Sequence, residues 1–173
     1  MSTKAKKEWL EWIKAIVIAL VLAFILRNFF FATSIVEGAS MDPTLENGER
    51  VVFNKIAYHL DDPERNDIVI IERTEKNYVK RVIGEPGDTV EVKDHTLYVN
   101  GEEQSQDYLD HSSIEATRDY GPVEVPEGQY FVMGDNRKVS KDSRNGLGLI
   151  EESEIVGKTE LVIFPFGEMG RTR

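Results

Sequence analysis

The sequence predicts a mainly β protein: an antiparallel β-sheet domain preceded by one N-terminal transmembrane helix. Three observations carry this. Ala15 to Leu26 reads AIVIALVLAFIL without a polar residue, the one strongly apolar segment of the chain. After residue 34 the apolar residues fall in short runs rich in Val, Ile, Tyr and Phe, with no helical period. Gly, Pro, Asn and Asp divide those runs too closely for crossover helices, so neighbouring strands must pair antiparallel. The 173 residues suffice for one anchor and one domain of ordinary size, divided as 1–33 and 34–173.

The strict apolar run is shorter than the ~20 residues a span requires. Counting from Trp9 to Ala32 supplies the length, with Lys14 and Arg27 snorkelling to the two interfaces and Trp9 and Trp12 as aromatic anchors. Two other readings fit the same residues: a cleavable secretory signal ending near Ala32-Thr33-Ser34, and a buried core helix. Lys4, Lys6, Lys7 and Lys14 all precede the run. The positive-inside rule then gives a single-pass protein of the cell membrane, with a cytoplasmic N-terminus and an extracytoplasmic domain after about residue 33.

Beyond the anchor, Glu46-Asn47-Gly48-Glu49 is a turn, 50–54 a short strand and 55–66 a loop around Asp61-Asp62-Pro63. Residues 67–72 and 78–83 read as strands, the second ending in the tight turn Gly84 to Asp88. Residues 89–93 and 96–99 alternate and form a hairpin across Asp94-His95, followed by the strong turn dipeptide Asn100-Gly101. Residues 102–121 are polar and aperiodic, an excursion from the core. Strands at 123–125, 129–133 and 155–163 complete the domain, and no internal repeat is visible.

Composition narrows the chemistry. The chain has no cysteine, which excludes thiol nucleophiles, disulfides and thiolate zinc sites. Its formal charge is -10, although the first 33 residues are net positive, so the domain is acidic and nucleic acid is a poor partner.

Three stretches stand out. In Ile35-Val36-Glu37-Gly38-Ala39-Ser40-Met41-Asp42-Pro43-Thr44-Leu45, Gly38 leaves room for another backbone, Ser40 offers a hydroxyl and Pro43 keeps Asp42 out of the helical region. A serine needs a base. His59, His95 and His111 fall in a loop, a turn and the polar excursion, with no aspartate at a telling spacing, and read as solvated surface residues. Lys80 is the better candidate, because the two-residue period of a strand puts it on one face with Tyr78 and Val82, where burial disfavours the ammonium. A lysine whose stem packs while its head reaches water fits the same local pattern. In the third stretch, Gly134 to Arg144, Asp142 and Arg144 are spaced for a bidentate pair and Ser140 is placed to orient the amine; a surface ion-pair loop is the plainer reading.

Taken together, the apolar segment, Gly38-Ala39-Ser40-Met41-Asp42-Pro43-Thr44-Leu45, Tyr78-Val79-Lys80-Arg81-Val82-Ile83-Gly84 with Pro86-Gly87-Asp88, and Gly134-Asp135-Asn136 with Ser140, Asp142, Ser143 and Arg144 resemble the bacterial type I signal peptidases, in the short single-anchor form of Gram-positive bacteria. The resemblance covers essentially the whole chain. It implies a membrane-bound serine endopeptidase that removes signal peptides from exported preproteins, with Ser40 as nucleophile and Lys80 as general base. Ser140 matches the hydroxyl that orients the lysine, and Asp142 and Arg144 match a supporting ion pair. Substrate contacts are expected from Val36, Gly38, Met41, Leu45, Tyr78 and Val79, in pockets that admit small side chains. The implied partners are secretory preproteins and membrane lipid, with no metal or cofactor. One position departs from Gram-negative relatives, which often carry a serine where this chain has Gly38, so the oxyanion must rely on the Ser40 N–H and another donor. A soluble self-cleaving repressor-type protease and an inactive anchored binding module are the competing readings.

Overall fold

A computed structural model describes residues 3–25, 30–74 and 76–172. Helix α1 spans Thr3–Ile25, and all further regular structure is dominated by strands. The main sheet has the order β1-β2-β11-β3-β4-β9-β10, with β12 paired to β11. Its strands are β1 (Phe31–Ile35), β2 (Arg50–Asn54), β3 (Ile68–Glu72), β4 (Asn77–Gly84), β9 (Gln129–Met133), β10 (Ile150–Glu151), β11 (Ile155–Phe164) and β12 (Gly170–Arg171). A second sheet runs β7-β6-β5-β8, from β5 (Thr89–Lys93), β6 (Thr96–Val99), β7 (Glu102–Glu103) and β8 (Tyr120–Glu124). Every described strand pair is antiparallel, as the short connections require.

The strands predicted over 50–54, 67–72, 78–83, 89–93, 96–99 and 129–133 are present within a residue or so of the expected bounds. The β5–β6 hairpin turns on Asp94 and His95, both at positive φ, and Asn100-Gly101 turns β6 into β7 in the same way. Alternation along β4 and β9 splits the core. Val82, Tyr130 and Val132 pack with Val69, Ile71, Ile150 and Ile155 on one side. On the other, Ile83, Phe131 and Met133 join Val90, Val92 and Leu97 of the small sheet. The two sheets thus share a core through opposite faces of the same strands.

Three expectations are corrected. The helix expected from Trp9 to Ala32 ends at Ile25 as far as it is described, and Phe31–Ile35 instead forms β1, with Thr33 opposite Val52 of β2. The run of apolar letters continues through this change, but Phe31, Thr33 and Ile35 are aromatic or β-branched and suit an edge strand. Nor does the expected membrane span emerge: among the described residues no helix is long and apolar enough to cross a membrane. Glu8, Glu11 and Lys14 occupy the first half of α1, and every side chain from 8 to 25 is exposed. Finally, the loop at 55–66 contains a single helical turn, α2 (Ala57–Leu60), and the excursion at 102–121 contains β7 and α3 (His111–Glu115). Helix α3 is too short to show a period and starts where the Asp110 carboxylate accepts the Ser113 N–H at 2.7 Å.

Candidate active site

Ser40 is held by what flanks it. Upstream, the Val36 N–H donates to the Glu49 carbonyl and the Gly48 N–H to the Val36 carbonyl, both at 2.8 Å, extending the edge of β1 past its end. Downstream, Leu45 N–H donates to the Met41 carbonyl at 3.0 Å, closing one turn, and Met41 and Leu45 are both wholly buried with Val51, Ile68 and Val162. The serine therefore sits between an extended arm and a turn pinned to the core. Across from it, the Asn136 N–H donates to the Ser40 carbonyl at 3.1 Å. Gly134 lies so close that a Cβ there would collide with the Ser40 carbonyl and the Ser140 hydroxyl.

Lys80 comes from β4. It shares a face with Val82 and is 1% exposed, in a part of β4 that is buried on both faces from Lys80 onward. Its Nζ lies 2.7 Å from Ser40 Oγ and 2.8 Å from the Val79 carbonyl. Burial drags its pKa from 10.5 down to about 8, against the opposing pull of Asp142 and Asp135 and with help from the Lys76 charge. The Tyr78 ring stands 5.9 Å from the same amine.

Behind the pair, Arg144 grips Asp142 with two bonds, Nε to Oδ1 at 2.9 Å and Nη2 to Oδ2 at 2.7 Å, while the Gly134 N–H donates to Oδ2 at 3.0 Å. Burial on its own raises the Asp142 pKa, but these partners and the nearby Ser140 hydroxyl outweigh it and hold the carboxyl below its usual range. The Ser140 hydroxyl is buried and forms no well-directed hydrogen bond, so the bond expected between it and Lys80 is absent. Ser140 packs against Gly134 beneath Ser40 instead.

A cleft of about 960 Å³ opens over Ser40 and Lys80. One wall is the arm from Thr33 to Ala39; the other is the start of β4, where Asn77–Lys80 pairs with β3 on one side but gains β9 on the other only from Arg81. Val36, Gly38, Tyr78 and Val79 are among the residues that line it. Met41 and Leu45 do not: they face the core beneath the turn, because the turn that presents Ser40 needs apolar anchors. Lys76, Asn77, Val139 and Lys141 line the cleft without having been singled out. Gly38 has φ of 84° with open space where a Cβ would be, and its N–H is taken by Asn47 Oδ1 at 2.8 Å. The Ser40 N–H has no partner among the described residues.

The sequence reading also missed a buried ion pair. Arg81, on the opposite face of β4 from Lys80, bonds Asp135 through Nε at 3.0 Å and Nη2 at 2.7 Å, and stacks 3.9 Å from the Tyr108 ring. A second cation next to Lys80, inside the Val79 to Ile83 strand, was the signal available. Of the histidines, His95 Nδ1 meets the Thr117 carbonyl at 2.8 Å and His111 lies beside Glu115 on α3; neither touches Ser40, and the His59 side chain lies outside the described ones.

The family model described as signal peptidase, peptidase S26 matches residues 9–164. The chain is 53% identical to signal peptidase I of Bacillus licheniformis over 99% of its own length and 97% of that protein. It is 52% identical to signal peptidase I T of Bacillus subtilis (strain 168), covering 98% and 93%, and 45% identical to signal peptidase IB of Staphylococcus aureus (strain Mu50), covering 94% and 93%. A crystal structure of a signal peptidase I from Enterococcus faecalis V583 superposes with a TM-score of 0.51 at 36% identity, over 57% of this chain and 97% of that one. On the strength of the family match and these near full-length relatives, the chain is a member of the signal peptidase, peptidase S26 family.

Proposed function

We propose that the protein is a signal peptidase in which Ser40 is the nucleophile and Lys80 the general base, removing signal peptides from exported preproteins. The observation that carries this is the 2.7 Å approach of a buried lysine, its pKa lowered to about 8, to the serine hydroxyl. With the amine neutral, its lone pair receives the Ser40 proton as Oγ bonds the scissile carbonyl carbon. The C–N bond then breaks, the leaving amine takes the proton from the Lys80 ammonium, and an acyl-enzyme remains. Water, deprotonated by Lys80, attacks the ester and returns the hydroxyl to Ser40. The unpartnered Ser40 N–H suits the developing oxyanion, whereas the Gly38 N–H is already engaged by Asn47.

The substrate enters as a strand between the arm at 35–39 and the open edge at 77–80. Its signal side lies in this cleft, against Val36, Tyr78 and Val79, which leave space for small side chains. Asp142 and Arg144, with Ser140, brace the loop under the serine. The exposed apolar stretch of α1, followed within a few residues by β1, attaches the protein to membrane lipid.

The test uses a preprotein with an Ala-X-Ala site. Ser40→Ala and Lys80→Ala should each lower kcat by about a thousandfold or more while leaving a folded domain by circular dichroism. Lys80→Arg should be equally inactive, since a guanidinium keeps its proton. Near-normal turnover by any of the three would sink the dyad.

A further inference from the structure

Arg137 is only 3% exposed, yet no carboxylate among the described residues pairs with it. Its Nη1 and Nη2 reach the Thr117 hydroxyl at 3.5 Å and the Tyr108 hydroxyl at 3.4 Å, both long, and its Nε has no partner. Burial depresses its pKa, and the Arg144 charge acts in the same direction, against Tyr108, Asp135 and Asp142. Those two carboxylates are already held bidentately by Arg81 and Arg144. A guanidinium withdrawn from water without a counter-charge carries a large desolvation penalty, so its setting calls for an anion.

The structure offers a place for one. Arg137 forms part of the wall of a cavity of about 1030 Å³ between the α3–β8 segment and the 136–145 loop, together with Arg118, Lys138 and Arg144. Two acids share the wall, but Glu115 lies 3.3 Å from His111 Nε2 and Asp119 accepts the Asp94 N–H at 3.0 Å. Arg118 and Lys138 are exposed and form no ion pair among the described residues. On a chain of net charge -10, a wall with a cationic excess is out of character, and it coincides with the buried unpaired arginine.

We propose that this cavity binds a phosphate-bearing oxyanion, gripped by Arg137 from within and by Arg118 and Lys138 at the rim. Planar guanidinium forks match such an anion better than ammonium groups do. The site lies apart from the cleft over Ser40 and does not depend on the role given to that serine. It does adjoin it mechanically. Arg137 follows Asn136, whose N–H holds the Ser40 carbonyl, and the Arg137 carbonyl accepts from Arg144 Nη2 at 3.4 Å. An occupied cavity would tie the small sheet to the loop under the serine.

The experiment measures Tm of the full chain in neutral detergent, titrating sodium phosphate against sodium chloride at matched ionic strength. Phosphate should raise Tm beyond chloride, by about 5 °C at roughly 100 times the half-saturating concentration. A second arm replaces free phosphate by phosphatidylglycerol in mixed micelles, with phosphatidylcholine as control; a response there alone identifies a lipid headgroup as the source. The variant Arg118→Gln/Lys138→Gln, altered only at exposed positions, should lose most of the response, and Arg137→Met should lose all of it without a lower Tm in chloride. No rise over chloride in either arm, or an undiminished rise in Arg118→Gln/Lys138→Gln, overturns the proposal.

Discussion

Lys80 concentrates the chemistry of the proposed reaction in one ionisation. Its pKa of about 8 in the folded chain lies below the unfolded value of 10.5, so between these limits the unfolded chain holds a proton that the folded chain lacks. Stability should therefore rise as pH climbs from about 8 to 10.5, and the burial penalty is fully present below 8. Activity follows the same proton. The value of kcat/KM should rise about tenfold per pH unit up to pH 8 and level off above it, and a profile still climbing steeply at pH 9.5 would show that the base is not the depressed lysine. Its neighbour Arg81, on the opposite face of the strand, is held by a bidentate carboxylate. One residue of strand register thus separates the amine beside Ser40 from a guanidinium locked in an ion pair.

At the level of elements, hairpins were the most legible part of the sequence. Asp94-His95 and Asn100-Gly101 are turn dipeptides whose backbone must take positive φ, and the strands on either side alternate cleanly. Asn100 does more than turn the chain. Its side chain accepts the Thr89 N–H at 2.8 Å and donates to Asp88 Oδ1 at 2.7 Å, stitching the hairpin to the β4–β5 corner. Asn100→Ala should cost about 1–2 kcal/mol in urea denaturation, with kcat preserved in the folded protein, because both the positive φ and two bonds are compromised. Elements whose cause lies elsewhere in the chain were not legible. Nothing local announces β7, β10 or β12, each two residues long and specified by its partner strand, and the β-branched and aromatic alternation of β1 is masked by the apolar run before it. In the site, Ser40 and Lys80 could be named only because the motifs around them resemble a known family; a lone hydroxyl and a half-apolar strand lysine argue little by themselves. The burial of Met41 and Leu45 could not, since which side of a turn faces the core is decided by strands β2, β3 and β11.

For the molecule as a whole, the sheets and α1 differ in what surrounds them. The core clusters involve strands and the turn after Ser40, while apolar side chains of α1, such as Leu20 and Leu22, are exposed. Removal of residues 1–29 should therefore leave Tm within about 2 °C of the full chain, since few buried contacts are lost. Partitioning into phospholipid vesicles, measured by flotation, should fall to background. A large drop in Tm would show that α1 belongs to the folded core.

The unpaired edge of β4 at 77–80 has a kinetic consequence. If the substrate lies as proposed, a groove that ends where β9 takes over holds mainly one side of the cut, so what recognises the substrate also recognises one of its two products. The severed signal peptide should linger and compete with the next preprotein, with an inhibition constant close to KM, whereas a peptide copying the mature N-terminus should not inhibit at the same concentration. Turnover would then be paced by clearance of the spent signal peptide rather than by the bond cleavage proposed for Ser40 and Lys80.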